Sequence, residues 1–86
     1  MKMTITESKV NYTEQDGYLG HVTFEIDGHP QPYEATLHST KGRNWSYGLR
    51  FAGEPGDEKL IIAVDDWLEE DDEAFERLID AVRSKL

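Results

Sequence analysis

The feature that most constrains the fold of this chain is a stripe of apolar residues near its C-terminus. The members of the stripe recur at intervals of three and four residues, and they are Phe75, Leu78, Ile79, Val82 and Leu86. That spacing places them on one face of an α-helix. We therefore predict one helix, from about Asp72 to Lys85, that covers an apolar surface formed by the rest of the chain.

The preceding residues have the alternating pattern of β-strands. The clearest strand runs from Tyr18 to Asp27, where Val22 and Phe24 share one face and polar residues occupy the other. This pattern is typical of an antiparallel sheet that is covered on one side. In residues 2–12 the alternation changes parity, and we predict a β-bulge near Glu7 to Lys9.

Two further strands are predicted on either side of the loop Thr40-Lys41-Gly42. Gly42 can adopt the positive φ that the third position of a three-residue hairpin loop requires. Such a loop pairs Leu37 with Trp45 and places every apolar partner of the two strands on one face. Turn chemistry and hydrophobic pattern therefore agree on this hairpin.

A last strand is predicted from Glu58 to Val64, because five apolar residues follow one another there. A run of this length is consistent with a strand buried on both faces. In the acidic segment that follows, Asp66 and Glu69 could form a capping box for a helical turn. The acids at positions 71 and 72 interrupt the apolar stripe, which indicates a break before the main helix.

These elements predict a single α+β domain over residues 1–86. Its architecture is a meander of about five antiparallel strands with one C-terminal α-helix packed across one face. A strongly curled, barrel-like sheet with the helix at its mouth is the alternative. The expected core consists of Phe24, Leu37, Trp45, Leu49, Ile62, Phe75, Leu78 and Val82.

Composition excludes several classes of protein. Without cysteine, the chain has no disulfide scaffold, thiol catalysis or thiolate metal site, and we expect a cytoplasmic location. No apolar run approaches the ~20 residues of a membrane span, so we expect neither a signal peptide nor a membrane partner. The net charge of -9 opposes direct binding to nucleic acid, because phosphate contacts need clustered lysine and arginine.

The uneven distribution of charge is the most informative functional feature of the sequence. Three bases and no acid lie between Ala35 and Gly53, whereas the segment from Asp65 to Glu76 contains eight acids and no base. Oppositely charged segments of this kind favour contacts with another protein. The predicted partner-binding residues are Lys41, Arg43, Arg50, Asp65, Asp66, Trp67, Glu69, Glu70, Asp71, Asp72 and Glu73.

Three functional hypotheses follow from these patterns. The first is a small, non-enzymatic protein-interaction module. The second is an acidic mimic of nucleic acid that inhibits a DNA- or RNA-binding protein. The third is a ligand-binding or enzymatic domain with a pocket between sheet and helix, near Trp45, Tyr47 and Trp67.

The acidic run is by itself also typical of a solvated helix N-terminus, and it lacks the glycine of a calcium-binding EF-hand loop.

Catalytic and metal sites have little support in the sequence. No serine lies in a Gly-x-Ser-x-Gly motif and no phosphate-binding glycine loop is present. The sequence therefore favours a non-enzymatic protein over the enzymatic alternative, and we expect no cofactor. His21 lies opposite His38 if the turn before Pro32 has four residues, and two imidazoles can bind a transition metal. No third ligand accompanies them, and we expect two ordinary surface histidines and no metal site.

The two charged segments predict weak self-association. If they lie apart on one molecule, the basic segment of one copy can face the acidic segment of another, and a two-fold dimer makes this contact twice. Exposed ion pairs contribute only about 0–1 kcal/mol each, so the dimer should dissociate as salt increases. Sedimentation at about 50 and 500 mM salt measures this. A monomer at both salt concentrations would remove the dimer hypothesis.

Overall fold

The computed structural model describes residues 1–86 as four strands followed by two helices. The strands are β1 (Met3–Thr13), β2 (Gly17–Ile26), β3 (Tyr33–Ser39) and β4 (Ser46–Phe51), and the helices are α1 (Glu58–Glu70) and α2 (Asp72–Arg83). The strands form an antiparallel meander in the order β1-β2-β3-β4. The predicted α+β class and the antiparallel meander are therefore confirmed. Because β1 and β4 are both edge strands, the sheet is open and the barrel-like alternative is wrong.

The predicted fifth strand and the prediction of a single helix are both wrong, because Glu58 to Val64 forms the first half of an additional helix, α1. The Asp57 side chain accepts a hydrogen bond of 2.8 Å from the backbone N–H of Lys59 and caps the start of this helix. Val64 and Leu68, four residues apart, are buried against the core, which is helical spacing. The apolar run therefore belongs to a helix and is not a strand buried on both faces. It is longer than the buried face of that helix because it includes the exposed residue Ile62.

Asp71 separates the two helices at the predicted break. Its backbone N–H donates to the Trp67 carbonyl oxygen at 2.8 Å and ends α1. Its carboxylate accepts hydrogen bonds from the backbone N–H groups of Glu73 and Ala74, at 3.0 and 3.2 Å, and so caps α2. The predicted capping box of Asp66 and Glu69 is wrong, because both residues lie inside α1.

A β-bulge interrupts β1, as predicted, although it lies slightly earlier in the chain. The register between β1 and β2 shifts between Ile5 and Glu7, which leaves Thr6 as the extra residue. Ile5 pairs with Phe24 on one side of the bulge, and Val10 pairs with Gly20 on the other. The bulge thus lets apolar residues of opposite parity face the same core.

The β3–β4 hairpin is offset by two residues from the predicted register. Leu37 pairs with Tyr47 and not with Trp45, because β4 begins only at Ser46 and the loop exceeds three residues. The buried Ser39 hydroxyl accepts a hydrogen bond of 2.8 Å from the Gly42 N–H within this loop, and Gly42 has the expected positive φ of 78°. An even offset leaves the same side chains facing the core.

Both helices pack on one face of the sheet, with α2 across β1 and β2 and α1 beside β4. Four of the predicted core residues are fully buried, namely Phe24, Leu37, Leu78 and Val82. Three others are only partly buried and pack against the core, namely Trp45, Leu49 and Phe75. Ile62 was predicted wrongly, since it is 57% exposed on the outer side of α1.

Glycine at position 20 allows α2 to lie close to the sheet. A Cβ atom on Gly20 would lie 2.6 Å from Cγ2 of Val82, which is closer than real Cβ contacts. Val82 is itself fully buried, so its side chain has little room to move. The contact fixes the depth at which the C-terminal half of α2 sits on β2.

Truncating Leu78 should destabilise the protein far more than truncating Ile62. Leu78 is fully buried between α2 and the sheet, so Leu78→Ala should reduce the free energy of unfolding by about 2–5 kcal/mol. Ile62→Ala is a matched control in the other helix, and we expect a change below about 1 kcal/mol. Urea denaturation measures both. Equal midpoints for Leu78→Ala and the wild type would mean that α2 does not cover the sheet.

Candidate interaction surfaces

The acidic segment predicted from the sequence lies where α1 meets α2. We call this surface the acidic corner, and it consists of Asp65, Asp66, Glu69, Glu70, Asp71, Asp72 and Glu73. Five of these side chains are exposed, namely Asp66, Glu69, Glu70, Asp72 and Glu73. None of the seven forms an ion pair within the chain. Trp67, predicted beside them, is partly buried and packs against the core.

Tyr47 connects the acidic corner to the sheet. Its hydroxyl donates a hydrogen bond of 2.7 Å to Oδ1 of Asp65. Burial raises the pKa of Tyr47 well above its ordinary value, and the hydrogen bond to Asp65 and the negative charges of Asp65, Glu69 and Asp66 raise it further. Tyr47 therefore stays protonated as a hydrogen-bond donor and links β4 to α1.

The two cations of the β3–β4 loop lie at the other end of α2. Lys41 and Arg43 are exposed in this loop. The end of α2 adds a further cation there, because Nη2 of Arg83 lies 3.5 Å from the Gly42 carbonyl oxygen. The acidic corner is at the start of α2, and a helix of 12 residues is about 18 Å long. The structure thus holds the two oppositely charged segments apart.

The structure does not bring Arg50 together with the loop cations. Arg50 lies on the uncovered face of the sheet, where its Nε donates to Oε1 of Glu34 at 2.9 Å. The same carboxylate oxygen is 3.8 Å from Nδ1 of His21. Arg50 is therefore engaged inside the chain, in a polar cluster on the face opposite the helices.

His21 and His38 do not lie opposite each other, because the four-residue turn that would pair them does not form. Phe24 pairs with Tyr33, so the β2–β3 connection is longer than the predicted turn and His21 lies opposite Thr36. His38 lies opposite Leu19, and its Nε2 donates to the Asp16 carbonyl oxygen at 2.7 Å. Nowhere do three or more histidine, aspartate or glutamate side chains come together in a metal-binding arrangement.

Sequence reasoning missed a groove between β4 and α1, because it assigned the first half of α1 to a strand. The groove has a volume of about 410 Å³ and is lined by Tyr47, Gly48, Leu49, Ile61, Ile62, Asp65 and Glu69. Most of these residues are apolar, whereas the two other surface cavities are lined almost entirely by polar ones. Helical spacing of the residues from Ile61 onward was the signal that could have revealed it.

The pocket hypothesis from the sequence is only partly matched by this groove. Of the three aromatic residues named for it, Tyr47 lines the groove, whereas Trp45 and Trp67 do not. Trp45 lies beside Tyr18, with ring centroids 6.3 Å apart. The space between the sheet and the helices is filled by the apolar core, so the groove is a surface feature at the sheet edge.

Removing the Tyr47 hydroxyl should weaken the link between β4 and α1 and reduce the sensitivity of the fold to alkali. Tyr47→Phe removes a hydrogen bond to a carboxylate, which we expect to lower the free energy of unfolding by about 1–3 kcal/mol. The raised pKa in the folded state means that the unfolded chain releases this proton at lower pH. The contribution of the Tyr47 phenol to the free energy of unfolding is therefore fully present below about pH 10, and it is lost as the pH rises further.

Urea midpoints at about pH 8 and pH 11 measure the alkaline effect. The wild type should lose more stability over this interval than Tyr47→Phe. Tyr12→Phe, at an exposed tyrosine, is the control and should behave as the wild type does. Equal losses in the wild type and Tyr47→Phe would show that the phenol of Tyr47 is not protected by the fold.

Comparison with known proteins identified no relative of this chain. No family model, no curated protein and no solved structure matches the chain. Neither α1 nor α2 is long and apolar enough to cross a lipid bilayer. Any functional conclusion must therefore come from the surfaces of the molecule itself.

Proposed function

We propose that this chain is a small cytoplasmic interaction module without enzymatic activity, which binds a positively charged region of another protein. The observation that carries the proposal is the acidic corner, with five exposed carboxylates and no cation bound to them inside the chain. A basic partner would neutralise these charges. Long-range attraction would also speed the encounter, and added salt would slow it.

The position of the acids on α1 supports a role beyond helix stability. Asp72 and Glu73 occupy the first turn of α2, where the helix dipole favours negative charge. Glu69 and Glu70 occupy the last residues of α1, where the dipole disfavours negative charge, and no basic residue lies in that turn. Helix stability alone therefore does not account for carboxylates at this place, whereas binding of a cationic partner does.

The proposal is tested by affinity capture from a lysate of the source cells at low and high salt. The corner variant carries Asp66→Asn, Glu70→Gln and Glu73→Gln, which remove three exposed charges and leave the capping residue Asp71 intact. The control variant removes three exposed acids elsewhere, through Glu14→Gln, Glu25→Gln and Glu54→Gln. Both variants change the net charge equally, so any difference between them reports the position of the charges.

We expect the wild type and the control variant to retain the same protein at low salt, and the corner variant to lose it. High salt should release it. If the retained protein is a nucleic-acid-binding protein that added DNA or RNA displaces, the acidic corner acts as a mimic of nucleic acid. Retention of the same proteins by all three forms would contradict the proposal.

A further inference from the structure

We propose that the groove between β4 and α1 binds an extended segment of a partner protein, rich in alternating basic and apolar residues, which adds to β4 as a fifth strand. This inference rests on the proposed function and specifies both its binding site and the chemistry of its ligand. Three independent observations support it: an open strand edge, an exposed apolar wall beside that edge, and negative charge in the same groove.

The backbone of β4 presents an open edge along the groove. The N–H of Ala52 donates to the Pro32 carbonyl oxygen at 3.0 Å, which makes this a hydrogen-bonded pair of the β3–β4 ladder. Such pairs alternate along antiparallel strands, so Ser46, Gly48 and Arg50 also direct their backbone groups to β3. The residues between them direct their N–H and C=O groups away from the sheet, and these are Tyr47, Leu49 and Phe51.

Helix α1 provides an apolar wall beside this edge. Ile62 is 57% exposed and lines the groove together with the partly buried Ile61 and Leu49. An added strand points every second side chain to the helix side of the sheet, where these residues would contact it. In peptide recognition by strand addition, the exposed strand edge supplies backbone hydrogen bonds and neighbouring surfaces contact alternate side chains of the peptide.

The negative charge of the groove favours a positively charged ligand. Asp65 and Glu69 line it, and no lysine or arginine does. The hydrogen bond from Tyr47 holds the Asp65 carboxylate in place. Both acids belong to the acidic corner, so a basic segment in the groove would continue onto that surface.

A partner of opposite charge is favoured over a second copy of this chain. Each copy carries a formal net charge of -9, so pairing of β4 with β4 of another copy would join two strongly acidic molecules, and like charges disfavour binding. The groove follows a strand of six residues, which is about 20 Å long. It therefore suits a short linear segment of a partner.

The test uses synthetic peptides of about nine residues, which are longer than the six-residue edge and can therefore pair along all of it. The first alternates lysine and valine, the second alternates glutamate and valine, and the third is the lysine peptide with alternate backbone nitrogens methylated. We expect the first to bind and to slow hydrogen exchange at the amides of Tyr47, Leu49 and Phe51. The second should not bind, and methylation should weaken binding at least tenfold, because it removes the backbone hydrogen bonds.

Two substitutions of the protein complete the test. Ile62→Lys places a positive charge on the wall of the groove, and we expect it to weaken binding of the lysine peptide at least tenfold. Leu19→Lys adds the same charge at another exposed aliphatic residue, on the uncovered face of the sheet, and should leave binding unchanged. Both sites are exposed, so both variants should fold, which circular dichroism checks.

Any of three results would overturn the inference: no binding of the lysine peptide, equal binding by Ile62→Lys, or binding that leaves the β4 amides unprotected. These results do not affect the capture experiment with the corner variant. A partner that depends on the acidic corner, combined with a negative peptide test, would leave the proposed function standing and place the contact outside the groove.

Discussion

The structure depends on covering one face of a four-stranded sheet. Strands lie about 4.8 Å apart, so four of them span about 19 Å, whereas a helix with its side chains is about 10–12 Å wide. One helix therefore covers about half of the apolar face, and two side by side cover it all. In this chain α2 covers β1 and β2, and α1 lies beside β4. The positions of Asp71, the acidic corner and the groove all follow from this requirement for a second helix.

The sequence predicted those features that depend on local spacing. Alternation in β2, the bulge in β1 and the break at Asp71 are all visible in the order of residues. The error of two residues in the β3–β4 hairpin has a physical cause, because alternation is unchanged by an even shift. Only the length of the β3–β4 loop then determines the register. The loop is longer than the pattern suggested, and the buried hydroxyl of Ser39 stabilises it by accepting a hydrogen bond from the Gly42 N–H.

The assignment of Glu58 to Val64 failed because a short apolar run has the same composition in a buried strand and in a helix. The distinguishing signals lay outside the run, in the cap at Asp57 and in Leu68, four residues after Val64. The charged segments of the candidate site could be identified from the sequence, because charged residues can be counted without knowledge of the fold. The groove could not, because its wall exists only when Ile62 belongs to a helix beside β4.

The bulge in β1 has a consequence for polymerisation of the protein. With 11 residues, β1 is the longest strand and forms the second open edge of the sheet. Long open edges invite growth into continuous sheets and fibres. Thr6 distorts this edge, and the exposed side chains of Glu7 and Lys9 place charge beside the distortion. The regular ladder of β4 has no such defect. Addition of a strand is therefore opposed at the β1 edge and not at the β4 edge, and pairing at one edge alone cannot grow into a fibre.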